Sequence, residues 1–225
     1  MAWIARNSHL TDEETQNNGR IVASFFMAQG WNKKSVAALC GCMQQESQIN
    51  PMLWQEYMPE WGPETGYGLV QWTPATRLTE KVDIWHLGNY QDGTVQCMCI
   101  LGEYNTTDSD YKEWWIRSGW NLTFEQWAHN TAGLDAQTLA YYFVNNYLRP
   151  FDPTNPNYGR YAAAWEQYME SGEFPDTPTP TPTPGPGPQP PGPQPDLPID
   201  FTQPWSVLFL KGSNGRRQRV FYGRR

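Results

Sequence analysis

Glu46 is the side chain in this sequence best placed to move a proton. It ends an apolar helix-like run, Met43-Gln44-Gln45-Glu46-Ser47-Gln48-Ile49-Asn50-Pro51, and twenty residues later comes Gly66-Tyr67-Gly68-Leu69-Val70-Gln71-Trp72-Thr73-Pro74. Pro51 cannot continue a helix and biases Asn50 away from helical geometry, so the helix carrying Glu46 should stop within a turn of it. A carboxyl at an element end, packed near apolar and aromatic neighbours, is partly desolvated. Desolvation disfavours the charged form and raises the pKa, which suits a general acid. A lone Glu at a helix end is more often simply solvated; the second segment gives this one chemical meaning.

The paired segments resemble the lysozyme-like superfamily, specifically goose-type lysozymes and lytic transglycosylases. Those proteins share a catalytic "ES…P" motif followed by "GLxQ", matched here by Glu46-Ser47…Pro51 and Gly68-Leu69-Val70-Gln71. With Tyr67, Trp72, Thr73 and Pro74 added, the string is most similar to the phage tail lysozyme family, muralytic domains carried on virion tails. The resemblance runs from about residue 10 to about residue 170. One departure is clear: the Ala-Tyr-Asn-x-Gly motif of many transglycosylases is missing, and Leu101-Gly102-Glu103-Tyr104-Asn105 is only loosely similar to it.

The resemblance implies a mainly α (α+β) lysozyme-like domain with a small β element beside the cleft. It implies cleavage of the MurNAc–GlcNAc bond of peptidoglycan, with no cofactor and no metal. Such cleavage needs a proton for the leaving oxygen and relief for an oxocarbenium-like carbon. Glu46 would supply the proton, and either water or the muramic 6-hydroxyl would complete the reaction. Ser47, Tyr67, Gly68, Gln71 and Trp72 are the expected substrate-binding residues, with Tyr67 also a candidate to orient Glu46. Glu56, Glu60, Glu64 and Asp92 are candidates to position a water, though none falls on a matching motif.

Composition narrows the alternatives. Twelve Trp and twelve Tyr make the chain aromatic-rich. Most such rings fill cores, but flat rings with a polar handle also suit sugars; Trp54, Trp61 and Trp72 flank polar loops around the motif. Residues 1–175 hold ten Lys/Arg against twenty Asp/Glu, which argues against nucleic acid as substrate. No eighteen-residue apolar run encodes a membrane span. The N-terminal residues lack the apolar core of a secretory signal, so export is expected by lysis or in a virion made in the host cytoplasm. The cysteines form two Cys-x-Cys pairs, Cys40/Cys42 and Cys97/Cys99, in apolar runs. Buried reduced thiols are expected, with a cross-pair disulfide or metal site as alternatives. A cysteine amidase would need a reactive thiol beside a His, and His9, His86 and His129 form no such arrangement; no paired-His zinc motif occurs either.

Helix signals are frequent. Thr11…Glu14 is a capping box opening a helix over about 12–29, and Asn32 starts the helix that leads into Glu46. Residues 50–66 read as a loop region and 67–73 as a short extended element. Further helices are expected at 94–103, 110–116, after a second capping box at Thr123…Gln126, at 136–148 behind Asp135, and at 157–171. In the last, the stripe Tyr161, Trp165, Tyr168 and Met169 reads as core.

Three domains follow: a catalytic region at 1–175, a polyproline-type linker at 176–195, and a basic tail at 196–225. The tail's apolar run Trp205–Leu210 is too short to build a core. It is expected to dock as a strand on a partner's sheet edge, such as a phage tail protein, or else to remain an unstructured basic end. Two alternatives stay open beside the virion enzyme: an endolysin for host lysis, and a non-catalytic wall-binding or structural tail protein.

Overall fold

The structure is a computed structural model of the chain. It describes residues 1–55, 64–172 and 174, together with the backbone of two strands at 205–211 and 217–223. The chain divides into two units, Met1–Thr179 and Pro180–Arg225. The first contains seven described α-helices: α1 (Asp12–Ala28), α2 (Lys33–Ser47), α3 (Thr76–Ile84), α4 (Gly93–Asn105), α5 (Phe124–Ala128), α6 (Ala136–Phe143) and α7 (Pro156–Glu170).

Helix α2 is the axis of this unit. From Ser35 to Met43 every residue is buried, as expected of a helix that is apolar on all sides. It packs against α1, α5, α6 and α7. Gly41 makes the closest of these crossings possible: a Cβ there would lie 2.3 Å from the backbone nitrogen of Ala162 on α7. Gly19 on α1 likewise leaves room for the Trp165 ring. The N-terminal segment is folded into the same unit. Asn18 pairs with the backbone of Ile4 through both ends of its amide, and Trp3 covers Gly93 while donating to Thr94 Oγ1 at 2.9 Å.

Capping chemistry sets most helix starts. Thr11 and Glu14 form the reciprocal box, as do Thr123 and Gln126. Asn32, Asp92, Asp135 and Asn155 cap α2, α4, α6 and α7 through their side chains. Much of the aromatic content forms one cluster around Trp31, Trp114, Phe124, Trp127, Phe143 and Tyr147. Trp114 stacks on Phe124 at 4.7 Å and Phe143 on Tyr147 at 4.4 Å.

Three elements depart from the sequence expectation. Helix α3 had no capping signal to announce it, and Ala75 at its start makes no side-chain cap. The 110–116 segment is only a 3-10 turn, Ser109–Tyr111, followed by extended chain. Trp115 there donates its N–H to Asn146 O, and the buried Asn146 side chain accepts from Arg117 N and donates to Trp120 O. This long-range pinning overrides local helical preference. Helix α6 stops at Phe143 and passes into a π turn, Val144–Leu148, which Arg149 ends in a left-handed conformation. The β element beside the cleft is minimal: single bridges Trp54↔Tyr67 and Tyr67↔Trp72.

In the second unit, β1 (Trp205–Lys211) pairs antiparallel with β2 (Arg217–Gly223), from Trp205↔Gly223 to Lys211↔Arg217. The apolar run therefore already has a strand partner within its own chain. Gly212, Asn214 and Gly215 between the strands are turn-forming types that signal such a hairpin. The Pro-rich linker at 176–195 lies outside the described residues.

Candidate active site

Glu46 occupies the last turn of α2, and the chain leaves that helix abruptly. Gln48 and Ile49 take left-handed backbone conformations (φ 57° and 55°), and Ile49 N returns to Met43 O at 3.2 Å. Gln71 and Arg149 are also left-handed (φ 51° and 55°). Gln48, Gln71 and Arg149 all line one cleft of about 700 Å³, so the strained backbone concentrates where Glu46 opens.

The Glu46 carboxyl is half-buried and meets one side chain from α7: the Tyr158 hydroxyl donates to Glu46 Oε1. Burial pushes the carboxyl's pKa up, and the Tyr158 bond only partly counters this. Tyr158 itself is held well above the usual phenol range by burial and by Glu46, so it remains a donor. Among the described residues no hydrogen bond reaches Oε2.

The second motif is fastened to the Glu46 helix by two buried side chains. Ser47 Oγ donates to Leu69 O at 3.0 Å and accepts from Asn50 N at 3.3 Å. Gln96, from α4, accepts from Leu69 N at 2.8 Å and donates to Pro51 O at 2.7 Å and Tyr90 O at 2.8 Å. Gly68 is required twice over at this junction: its φ is +78°, and a Cβ would fall 2.5 Å from Gln96 Oε1.

The expected site residues therefore divide. Gln71 lines the cleft beside Glu46 and braces the loop, donating through Nε2 to Leu53 O and Gly68 O. Trp72 also lines the cleft, but it is largely buried and its indole N–H goes to Glu103 Oε1 at 3.2 Å. Ser47 borders the cleft with its hydroxyl turned to the protein backbone. Tyr67 is 1% exposed and packs on Trp54 and Tyr90. It is not the residue that holds Glu46; Tyr158 is. Of the water-positioning candidates, Asp92 caps α4, Glu64 does not line the cleft, and Glu56 and Glu60 lie outside the described residues, as does Trp61. Trp54 does line the cleft.

The cleft is also lined by Arg77, Glu113 and Arg149, which belong to an ion network with no counterpart in the motifs. Lys81 Nζ lies 2.5 Å from Glu103 Oε1 and 2.8 Å from Glu113 Oε1. Glu113 Oε2 also meets Arg77 Nη1 at 3.1 Å and Arg149 Nη2 at 3.0 Å. Tyr147 donates to Glu103 Oε2. Burial raises the Glu103 pKa in spite of Lys81. At Glu113 burial acts in the same direction, but Lys81, Arg77 and Arg149 outweigh it and hold this carboxyl below the usual range. Both Glu113 oxygens are thus engaged by cations, which leaves it poorly suited to act as a base. Glu103 and Tyr104, from the segment loosely similar to the transglycosylase motif, face this network and the aromatic cluster.

The four cysteines are buried free thiols. Burial pushes each of them up in pKa, away from nucleophilic use.

A mainly helical domain with a desolvated glutamate at a helix end, beside a glycine-containing loop lining the same cleft, defines a lysozyme-like protein. A model of the phage tail lysozyme family matches residues 17–169, and the chain belongs to that family. It is also 34% identical over 164 residues to morphogenesis protein 1 of Bacillus phage B103, a match covering 72% of this chain and 42% of that protein. The chain thus spans under half the length of this curated relative. It is a phage-associated, lysozyme-like protein.

Proposed function

We propose that this protein is a peptidoglycan-degrading glycosidase of a phage particle, cleaving the MurNAc–GlcNAc bond with Glu46 as general acid and so helping genome entry through the cell wall. The observation that carries this reading is the Glu46 carboxyl itself. It is half-buried, raised in pKa, held on one oxygen by Tyr158, and it lines a cleft of about 700 Å³. A protonated carboxyl is what a glycosidic leaving oxygen requires. Gln71, Trp54 and Trp72 form the sugar-facing wall in this reading, while Ser47, Tyr67 and Gly68 act by shaping it. The relative's name, a morphogenesis protein of a phage, favours a particle component over a free endolysin. The C-terminal hairpin would then dock on particle proteins through the outer edges of its two strands.

The test is Glu46→Gln assayed on purified peptidoglycan with mass analysis of the fragments. Loss of an essential proton donor should lower the rate by about 100-fold or more. Anhydro or reducing ends on the wild-type products would tell transglycosylase from hydrolase. Undiminished cleavage by Glu46→Gln would overturn the assignment.

A further inference from the structure

The cleft's second wall has a chemistry that the acid mechanism does not use. Three cations, Arg77, Lys81 and Arg149, surround two carboxylates, Glu103 and Glu113, which leaves one positive charge in excess. The three cations differ in what they can offer. Lys81 is buried, with its ammonium between the two glutamates. Arg149 has its Nη1 on Glu113 O and Asn146 O and its Nη2 on Glu113 Oε2. Arg77 makes one bond, from Nη1 to Glu113 Oε2, and its side chain is 46% exposed. Its Nη2 and Nε make no hydrogen bond among the described residues, and Arg77 lines the cleft. Arg77 also lies in the first turn of α3, where the helix end adds a partial positive charge, although its own N–H is taken up by Pro74 O.

We propose that Arg77 forms a carboxylate subsite of the cleft, one that selects the acidic arm of the muramyl residue. This rests on the peptidoglycan reading above and deepens it. The ligand chemistry is a carboxylate carried beside the glycan chain. It has two sources, the lactyl group of a bare muramyl sugar or the carboxylates of its stem peptide. Guanidinium suits either, because its planar fork pairs two N–H donors with two carboxylate oxygens. Glu113 preorganises the arginine from behind through Nη1 and leaves the rest of the fork unsatisfied. A neutral polymer of N-acetylglucosamine, lacking that arm, would gain nothing from this wall.

The experiment compares binding of the full chain carrying Glu46→Gln with that of the double variant Glu46→Gln/Arg77→Gln. The probes are native walls, glycan strands stripped of stem peptides, and walls whose carboxyls have been converted to neutral amides. Arg77→Gln is expected to fold, because Glu113 keeps Lys81 and Arg149; thermal unfolding of the variant checks this. The expected result is about fivefold weaker binding to native walls, shrinking as salt rises, with no difference on amidated walls. A loss that persists on stripped strands assigns the lactyl carboxylate, and one seen only with peptides present assigns the stem. Arg77→Lys should recover part of the affinity. Equal binding of the two proteins to native walls, or an equal loss on amidated walls, overturns the proposal. Wild-type protein that binds in this charge-dependent way without cleaving would refute the glycosidase reading and leave the subsite standing.

Discussion

Replacing Tyr158 with Phe removes one oxygen and tests how the site tunes its acid. The hydroxyl donates to Glu46 Oε1, and a bond to the ionised form holds a carboxyl's pKa down. Without it, burial acts unopposed, so the Glu46 pKa must rise further. A hydrogen bond to a charged group contributes about 1.5–3 kcal/mol. The same hydroxyl also serves the neutral carboxyl, so only part of that is differential. The expected displacement is therefore upward. A general acid works while protonated, so activity falls as pH rises through its pKa; in Tyr158→Phe that falling limb should move to higher pH. On the plateau below it the rate should drop about tenfold, because the carboxyl loses the partner that fixes its rotation. The assay is kcat against pH on soluble glycan strands for both proteins. A falling limb that stays in place or moves to lower pH would refute the claim that Tyr158 bonds the ionised acid.

Two further outcomes follow from buried groups. Gln96→Leu leaves Leu69 N–H, Pro51 O and Tyr90 O without their partner, and should cost about 3 kcal/mol in urea unfolding; a loss below about 1 kcal/mol would show that Gln96 does not hold the two motifs together. The thiols should be unreactive in the native protein and titrate as four after unfolding without reductant, and two or fewer would contradict their free state.

The acid and its helix were legible in the sequence because the signals are local. Asn32 as a cap, the apolar run from Val36 to Met43 and Pro51 as a stop together fix where α2 ends and put Glu46 in its last turn. Gly68 was legible for the same reason, although its cause is the left-handed turn against Gln96 more than approach to a ligand. Tyr158, Gln96 and the Arg77–Glu113 pair were not legible. Each acts across a long chain separation, 112 residues for Tyr158 and Glu46, and 27 for Gln96 and Leu69. A stripe on α7 reads as core, and half of it, Trp165 and Met169, is buried; that Tyr158 of the same helix turns to Glu46 depends on how closely Gly41 lets α7 approach α2. The 110–116 segment misleads in the same way, since Asn146 decides its conformation from another element.

The placement of the acid at the carboxyl end of α2 also has an electrostatic logic. The last turn of a helix carries unpaired carbonyls and a partial negative charge, and α2 has no basic residue there to neutralise it. An ionised carboxyl is disfavoured at such a position, in the same direction as burial. The cation-rich wall would work against this if it stood close enough to the acid. Burial raises the Glu46 pKa and the Tyr158 bond lowers it. Glu113 absorbs much of the arginine charge before it reaches across the cleft. One side of the cleft thus carries Glu46, whose burial raises its pKa, and the cation network pairs Arg77 and Arg149 with Glu113. Removing Glu113 would leave the Arg77 and Arg149 guanidiniums without their shared carboxylate partner.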